Sequence, residues 1–414
     1  MRRISSGMAT GDMQANLRRQ EYRVNKANNQ LSSQTRITSL RDDPIAAGHL
    51  VRYQSYAARV NQFEKNSMAL SEKLTVAEGY MNQSVQIMQR VRELAVQGAN
   101  SIYSKEDLTN MAVEVNELLK ELVENANALG PDGTSLFGGT STNKAAYEVE
   151  TGPVKGATEA LITNVRFNGS INNNRYEIDE QTYMDINQTG NRIFWSENQI
   201  LYSQRDATSF QVKGESIISI DGQQIKLNAG DNVYSVIAKI NNSGAAVKAG
   251  IDPVTNGLNI STTDAHQLWL DDVSGSVLED LGVIDDNSQR PPYNLNASTR
   301  ISGGSLFDSV IALRDAMLEG DVEAIGSKVL ASLDGGLDNL VTRLAEAGSL
   351  YERAQNSIAR AQTNELNVTS MISREGDLDF TKAITDLKML EYVQQASLSQ
   401  AGKMYQSSML NYMK

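Results

Sequence analysis

The 414-residue chain has no cysteine, which excludes disulfide frameworks, thiol nucleophiles, Fe–S clusters and cysteine-based zinc sites. Its two histidines, His49 and His266, are far apart in sequence and offer little material for a histidine metal site or a His-based acid/base pair. Basic side chains are in deficit: 38 Lys and Arg stand against 50 Asp and Glu, a formal charge of −12. A nucleic-acid binder normally carries a basic footprint, so neither DNA nor RNA is the expected partner. No apolar run approaches the roughly 18 residues a membrane span needs, and no cleavable signal pattern opens the chain. With seven Phe and two Trp the core is poor in aromatics. No phosphate-binding glycine loop, nucleophile elbow or triad pattern is present. These absences argue against an enzyme and against any cofactor.

Proline is scarce too, and its placement divides the chain. The six stand at 44, 131, 153, 253, 291 and 292, so residues 45–130 and 293–414 have none. Proline breaks a helix interior at about 3 kcal/mol, so both stretches permit long helices. Leu17, Val24 and Leu31 recur every seven residues, with Met13, Gln20 and Ala27 near the complementary seam, which is the repeat of a coiled coil. Residues 45–98 carry Met81, Val85, Met88, Val91 and Val96 at helical spacing. Ser104 with Asp107 predicts a helix N-cap, and Gly130-Pro131-Asp132-Gly133 predicts a stop. Further helices are predicted over 306–319 and 336–372, the latter about 55 Å long at 1.5 Å per residue. A last helix starts near Asp379, with the stripe Phe380, Ile384, Leu387, Leu390, Val393, Leu398, Ala401 and Met404.

Between 131 and 292 the pattern changes. Gly, Asn, Asp, Ser and Thr are frequent, and short β-rich runs at 175–178, 183–186, 217–220, 225–227 and 257–261 lie between turn signals. Asp221-Gly222 is a hairpin signal, and 231–240 reads as one short helix. The expected fold is α+β and multidomain: long terminal helices form a helical rod and coiled coil from both chain ends, and a β-rich module is inserted between them. The expected division is 1–41 with 374–414 as terminal arms, 42–165 with 293–373 as a helical rod, and 166–292 as an outer module.

Four stretches carry a resemblance. Leu31-Ser-Ser-Gln-Thr-Arg36-Ile37 with Asp42-Asp43-Pro44, and Arg90-Val-Arg92-Glu93 through Asn100, resemble signatures of the flagellin superfamily. Leu136-Phe-Gly-Gly-Thr140, then Phe167-Asn-Gly169 through Thr189-Gly190-Asn191-Arg192-Ile193-Phe194, are similar to the hook-associated protein 3 branch of it. The C-terminal run from Asp377 to Glu391, with Gln395-Ala-Ser-Leu398, is similar to the same branch, and Met1–Ser5 to the family start. Pro44 also favours that branch. Ile218 to Leu227 and Leu278-Glu-Asp-Leu-Gly282 look like a repeat inserted in such proteins, here near 210–285. Two positions depart: Gln34 stands where the family usually has glycine, and Gln394 where it commonly has tyrosine.

The resemblance implies a structural protein of the bacterial flagellum, exported through the flagellar type III channel and assembled as a ring where the hook meets the filament. Its implied partners are further copies of itself, hook-associated protein 1, flagellin, and an export chaperone at the C-terminal helix. It would lie outside the cell, or in the periplasm of a bacterium with internal flagella. A filament flagellin and a secreted adhesin with a helical stalk are the alternatives. Residues 1–41 carry eight Arg and Lys against two acids, and 374–414 five against five. Neither arm has enough apolar surface to offset its ordering entropy alone, so both are expected to order on assembly. Read plainly, Asp42-Asp43-Pro44 is a helix N-terminus, and Arg90, Arg92 and Glu93 form a charged face. His266 beside Trp269 is local packing, and Asp271-Asp272 and Asp285-Asp286 sit in solvated turns.

Overall fold

A computed structural model describes residues 6–185, 189–285 and 289–412, and side chains from 11 to 403 within them. In chain order the elements are α1 (Ser6–Ser33), α2 (Pro44–Gly98), α3 (Lys105–Ala126), β1 (Tyr147–Pro153), β2 (Ala160–Phe167), β3 (Arg175–Asp179), β4 (Thr182–Asp185), α4 (Gly190–Ile193), β5 (Ile200–Tyr202), β6 (Ser216–Ile220) and β7 (Gln223–Leu227). There follow α5 (Val233–Asn241), β8 (Val247–Ile251), β9 (Leu258–Thr262), β10 (Leu270–Ser274), α6 (Val277–Asp280), β11 (Arg300–Ser302), α7 (Leu306–Glu319), α8 (Val322–Ala324), a π-turn (Ile325–Val329), α9 (Leu330–Gly376) and α10 (Phe380–Tyr412). No helix among the described residues is long and apolar enough to cross a membrane.

The chain forms two units. The first comprises Met1–Lys65 with Ile358–Lys414, so it combines α1, the start of α2, the end of α9 and α10. In it α1 packs on α10. The two run antiparallel, because Thr35, just past α1, bridges Asp377, just before α10. Within the expected arms, 1–41 and 374–414, α1 and α10 both fall in this unit.

The second unit is Asn66–Ser357. Its main core joins the later part of α2 to α3, α7, the start of α9 and the β1–β2 hairpin. Heptad spacing explains α2: Leu70, Leu74, Ala77, Met81, Ser84, Met88, Val91 and Ala95 are all buried. Val96, part of the sequence stripe, points outward instead. On α9 the inward positions Leu333, Leu337, Leu340, Leu344 and Ala347 follow the same rhythm. Upstream of Leu333 the rhythm changes, since Ile325, Val329, Leu333 and Leu337 are each four apart. Steps of four drift around a helix with 3.6 residues per turn, and the wider π-turn restores Ile325 and Val329 to the buried side. α9 therefore starts earlier than the predicted 336 and runs for 47 residues.

The inserted module has its own core, built from β5 to β10 with α5 and α6. All strand pairs are antiparallel: β10-β6-β7 form one sheet and β11-β5-β9-β8 another, while β1-β2 and β3-β4 are hairpins. Asp221-Gly222 joins β6 to β7 with φ of 49° and 81°, the left-handed pair that a tight hairpin requires. Two asparagines guard strands with paired side-chain hydrogen bonds. Asn241 donates to Ala249 O (3.1 Å) and accepts from Ala249 N (2.8 Å), and Asn127 does the same for Tyr147 (3.0 and 2.8 Å). Each occupies backbone groups that an exposed edge would otherwise offer to another chain.

Candidate assembly sites

In the first unit the signature residues form a clasp between the two chain ends. Gln34 adopts φ of 56°, making the turn where glycine is usual in the family. The turn brings Arg36 N to Gly376 O (2.7 Å) and Leu378 N to Gln34 O (3.2 Å). The Arg36 side chain donates through Nε and Nη2 to Glu375 O (3.2 and 2.9 Å) and pairs through Nη1 with Asp43 Oδ2 (3.3 Å). His49 Nδ1 lies 3.7 Å from the Glu375 carboxylate.

Asp43 and Pro44 start α2 as the sequence predicts. Pro44 is its first residue, and Asp43 Oδ1 accepts from Ala46 N (3.1 Å). Asp42 does a separate job. Lys26 Nζ contacts its Oδ1 at 2.7 Å, while Oδ2 accepts from Thr38 N, Thr38 Oγ1 and Ser39 N. The Lys26 bond, with the Thr38 and Ser39 donors, holds the Asp42 carboxyl well below the usual carboxylate range. Asp43 is also lowered, chiefly by the Ala46 amide and then by Arg36. Ile37 is half-buried beside the clasp.

From this clasp α1 and α10 run as a seam. Its α1 side is Met13, Leu17, Gln20, Val24, Ala27 and Leu31, all half-buried. On α10 the inward positions are Ala383, Leu387, Leu390, Gln394, Ser397 and Ala401, of which Leu387 and Ala401 are buried. Both series step by four and three. Gln20 Oε1 is buried there without a hydrogen-bond partner. Val393 is half-buried at the seam's edge. Phe380 (45% exposed), Ile384 (42%) and Leu398 (53%) lie on the outer face, and the Met404 side chain lies outside the described residues, as do Met1–Ser5. An apolar stripe left open along a narrow helical pair is a surface suited to other chains.

In the second unit, Arg90 pairs with Glu114 (2.7 Å) and Glu93 (3.1 Å), and Arg92 with Asp334 (2.5 Å). All five side chains are roughly half-exposed, so they form the charged face the sequence predicts.

The branch-specific stretches, separated in sequence, converge here. Gly190 N donates to Phe137 O (2.8 Å) and Ser170 N to Gly138 O (3.0 Å). Phe137 packs edge-on against Phe194 at 5.3 Å between centroids, and Tyr147 contacts Phe167, Phe194 and Phe307. Gly139 has φ of 62°, and a Cβ there would lie 2.0 Å from Ser170 O, so only glycine fits.

The sequence missed one buried cluster. His266 is buried, with Nε2 2.9 Å from Asp221 Oδ2 and Nδ1 2.9 Å from Asp264 Oδ1. Burial opposes its charge, but the bonds to Asp221 and Asp264 outweigh burial and raise its pKa to about 9. Asp264 continues to Arg192 (2.9 Å) and to Arg343 on α9 (2.6 Å). Local packing beside Trp269 is therefore an incomplete description: an ionic chain links the module to α4 and α9. Asp272 is not in a solvated turn either. It is a buried residue of β10 that accepts from Leu278 N and Glu279 N, and burial raises its pKa to about 6. Asp286 lies outside the described residues.

A family model for the bacterial flagellin N-terminal helical region matches residues 4–142. Polar flagellin A of Vibrio parahaemolyticus is 24% identical over 376 residues, which cover 90% of this chain and 89% of that protein. Flagellar hook-associated protein 3 of Escherichia coli is 25% identical over 169 residues, covering 41% of this chain and 49% of that protein, so the matched part spans about half its length. Among solved structures, flagellar hook-associated protein 3 of Legionella pneumophila has a TM-score of 0.48 at 14% identity, covering 78% of this chain and 97% of its own.

Proposed function

We propose that this chain, whose residues 4–142 match the flagellin N-terminal helical region, is a flagellar structural protein that joins the flagellar hook to the filament. The observation that carries the junction role is the convergence of Leu136–Gly139, Phe167–Gly169 and Thr189–Phe194 on one aromatic knot. Those are the stretches in which the chain resembles the hook-associated branch, and a shared packing reason binds them together.

In this reading the chain leaves the cell unfolded through the flagellar export channel and forms one ring at the tip of the growing structure. The ring contacts hook-associated protein 1 on one side and flagellin on the other. The division into arms (1–41 with 374–414), helical rod (42–165 with 293–373) and outer module (166–292) describes how each part contributes. The arms order fully when copies assemble, and Phe380, Ile384 and Leu398 are covered then. Before export an amphipathic stripe of this kind would self-associate, so a chaperone holds α10. Deleting 374–414 then abolishes chaperone capture and incorporation together, and normal incorporation of the shortened chain would exclude this.

A filament flagellin is the second reading, favoured by the near full-length match to polar flagellin A. Immunogold electron microscopy of isolated flagella, with antibody against residues 195–290, separates the two. Gold confined to a short zone between hook and filament supports the junction role. Gold along the whole filament supports the flagellin.

A further inference from the structure

The chain's charge is divided unevenly between its units. The first holds 17 Lys and Arg against 11 Asp and Glu, a formal +6, and the second 21 against 39, a formal −18. Two copies of so acidic a chain repel one another unless the positive unit of one meets the negative unit of the next.

The first unit offers a receptor for such a contact. Between α2 and α9 runs an open groove of about 670 Å³, whose floor is Tyr53, Tyr56, Val368 and Met371. Arg52 and Arg59 are the charged residues of its lining, which contains no carboxylate. Arg59 lies over the Tyr56 ring, 5.7 Å from its centroid. Glu64–Gln362 (3.0 Å) ties the two helices beyond one end and His49–Glu375 (3.7 Å) beyond the other.

The second unit offers a ligand of the opposite sign. α3 carries Glu106, Asp107, Glu114, Glu117, Glu121 and Glu124 against Lys105 and Lys120. Its inner face packs on α7, and its outer face displays Glu106, Glu117 and Glu124 around Val113, which is 60% exposed, with Lys120 on the same face bonded to Glu117 (2.7 Å). The capping box of Ser104 and Asp107 and the packing on α7 preorganise the helix, so docking it costs little ordering entropy.

We propose that the α2–α9 groove of one copy receives the acidic outer face of α3 from the next copy, so that the subunits join head to tail. Val113 enters the tyrosine- and methionine-lined floor, and Glu117 faces Arg59. A head-to-tail contact closes a ring if its rotation closes, which is the geometry the junction reading needs and on which this inference rests.

The absence of native cysteine makes a clean test. Cells produce the full-length chain carrying both Arg59→Cys and Glu117→Cys, two exposed positions, and the isolated flagella are oxidised. The expected result is a ladder of disulfide-linked multimers, absent from either single variant. A second experiment uses charge. Arg59→Glu and Glu117→Arg each reduce incorporation at least about tenfold, and co-production of the two restores it. Incorporation without a ladder, or without any loss in the charge variants, overturns the head-to-tail contact. Gold labelling of the same flagella reports the junction role independently, so a failure of that reading is seen separately.

Discussion

Arg36 and Glu375, 339 positions apart in sequence, are joined by two guanidinium hydrogen bonds to one backbone carbonyl. The bond ends on the main chain of the last turn of α9, so it satisfies an otherwise unpaired helix C-terminal carbonyl. The same guanidinium reaches Asp43, which caps α2. One side chain thus ties the end of α1, the start of α2 and the end of α9.

Replacing Arg36 with alanine removes three charge-assisted contacts from a half-exposed site. A loss of about 1–2 kcal/mol is expected for the first unit after allowance for solvent screening. Amide exchange should show faster opening of α1 and α10. Lysine cannot reproduce the planar fork, so Arg36→Lys should lose nearly as much. Exchange rates unchanged from the parent chain would show that the seam alone holds the ends together.

Gln34 holds a left-handed backbone that costs an ordinary residue about 1 kcal/mol. Gln34→Gly removes that strain but adds freedom to the unfolded chain, so the expected net gain is at most about 1 kcal/mol. Gln34→Val, whose branched side chain tolerates this region worse, should lose at least as much. Urea unfolding followed by exchange of the α1 amides measures both, and equal stability of the three chains would remove the strain argument.

Much of this architecture is legible in the sequence. α7 matches its predicted bounds, 306–319, because Ser305 caps it and Gly320 ends it, both local signals. The α1 seam is legible because Leu17, Val24 and Leu31 are its larger members. The α10 seam is less so: Ala383, Ser397 and Ala401 lie inward, and small residues give a weak signal when side-chain size is the guide. The β1–β2 hairpin escapes a pattern search because Tyr147–Pro153 is mostly exposed, carries Glu148 and Glu150, and ends in proline, so it does not alternate as a half-buried strand does. The His266 cluster draws on Asp221, Asp264 and Arg343 from distant segments, and no local spacing announces a group assembled by tertiary contact.

Two glycines should respond in opposite directions to alanine. Gly79 lies exposed within α2, and a methyl group there would meet open space, so Gly79→Ala should stabilise by about 0.5–1 kcal/mol through backbone entropy. Gly139 has positive φ and the Ser170 carbonyl within 2.0 Å of a Cβ, so Gly139→Ala must displace the aromatic knot and should cost more than about 3 kcal/mol. Thermal unfolding of both variants is the check. A mild effect at Gly139 would mean that the knot is looser than its contacts imply.

The last expectation concerns pH, and its sign follows from His266. Its folded pKa, about 9, lies above the ordinary 6.5, so the folded state binds its proton more tightly. The resulting stability is fully present below pH 6.5 and is lost as pH rises through 9. A shift of that size corresponds to about 3 kcal/mol in the second unit. Asp272 acts with the same sign in a lower window: with its pKa raised to about 6, stability falls between pH 4 and 6 as it ionises in a buried site. Between pH 6.5 and 9 the histidine therefore governs. Urea midpoints across that range should decline in the parent chain and stay nearly level in His266→Gln, which is already destabilised at pH 6.5. A parent curve that is flat over the same range would mean that Asp221 and Asp264 do not hold the imidazolium, and that the ionic chain from the module to Arg343 is broken at its first link.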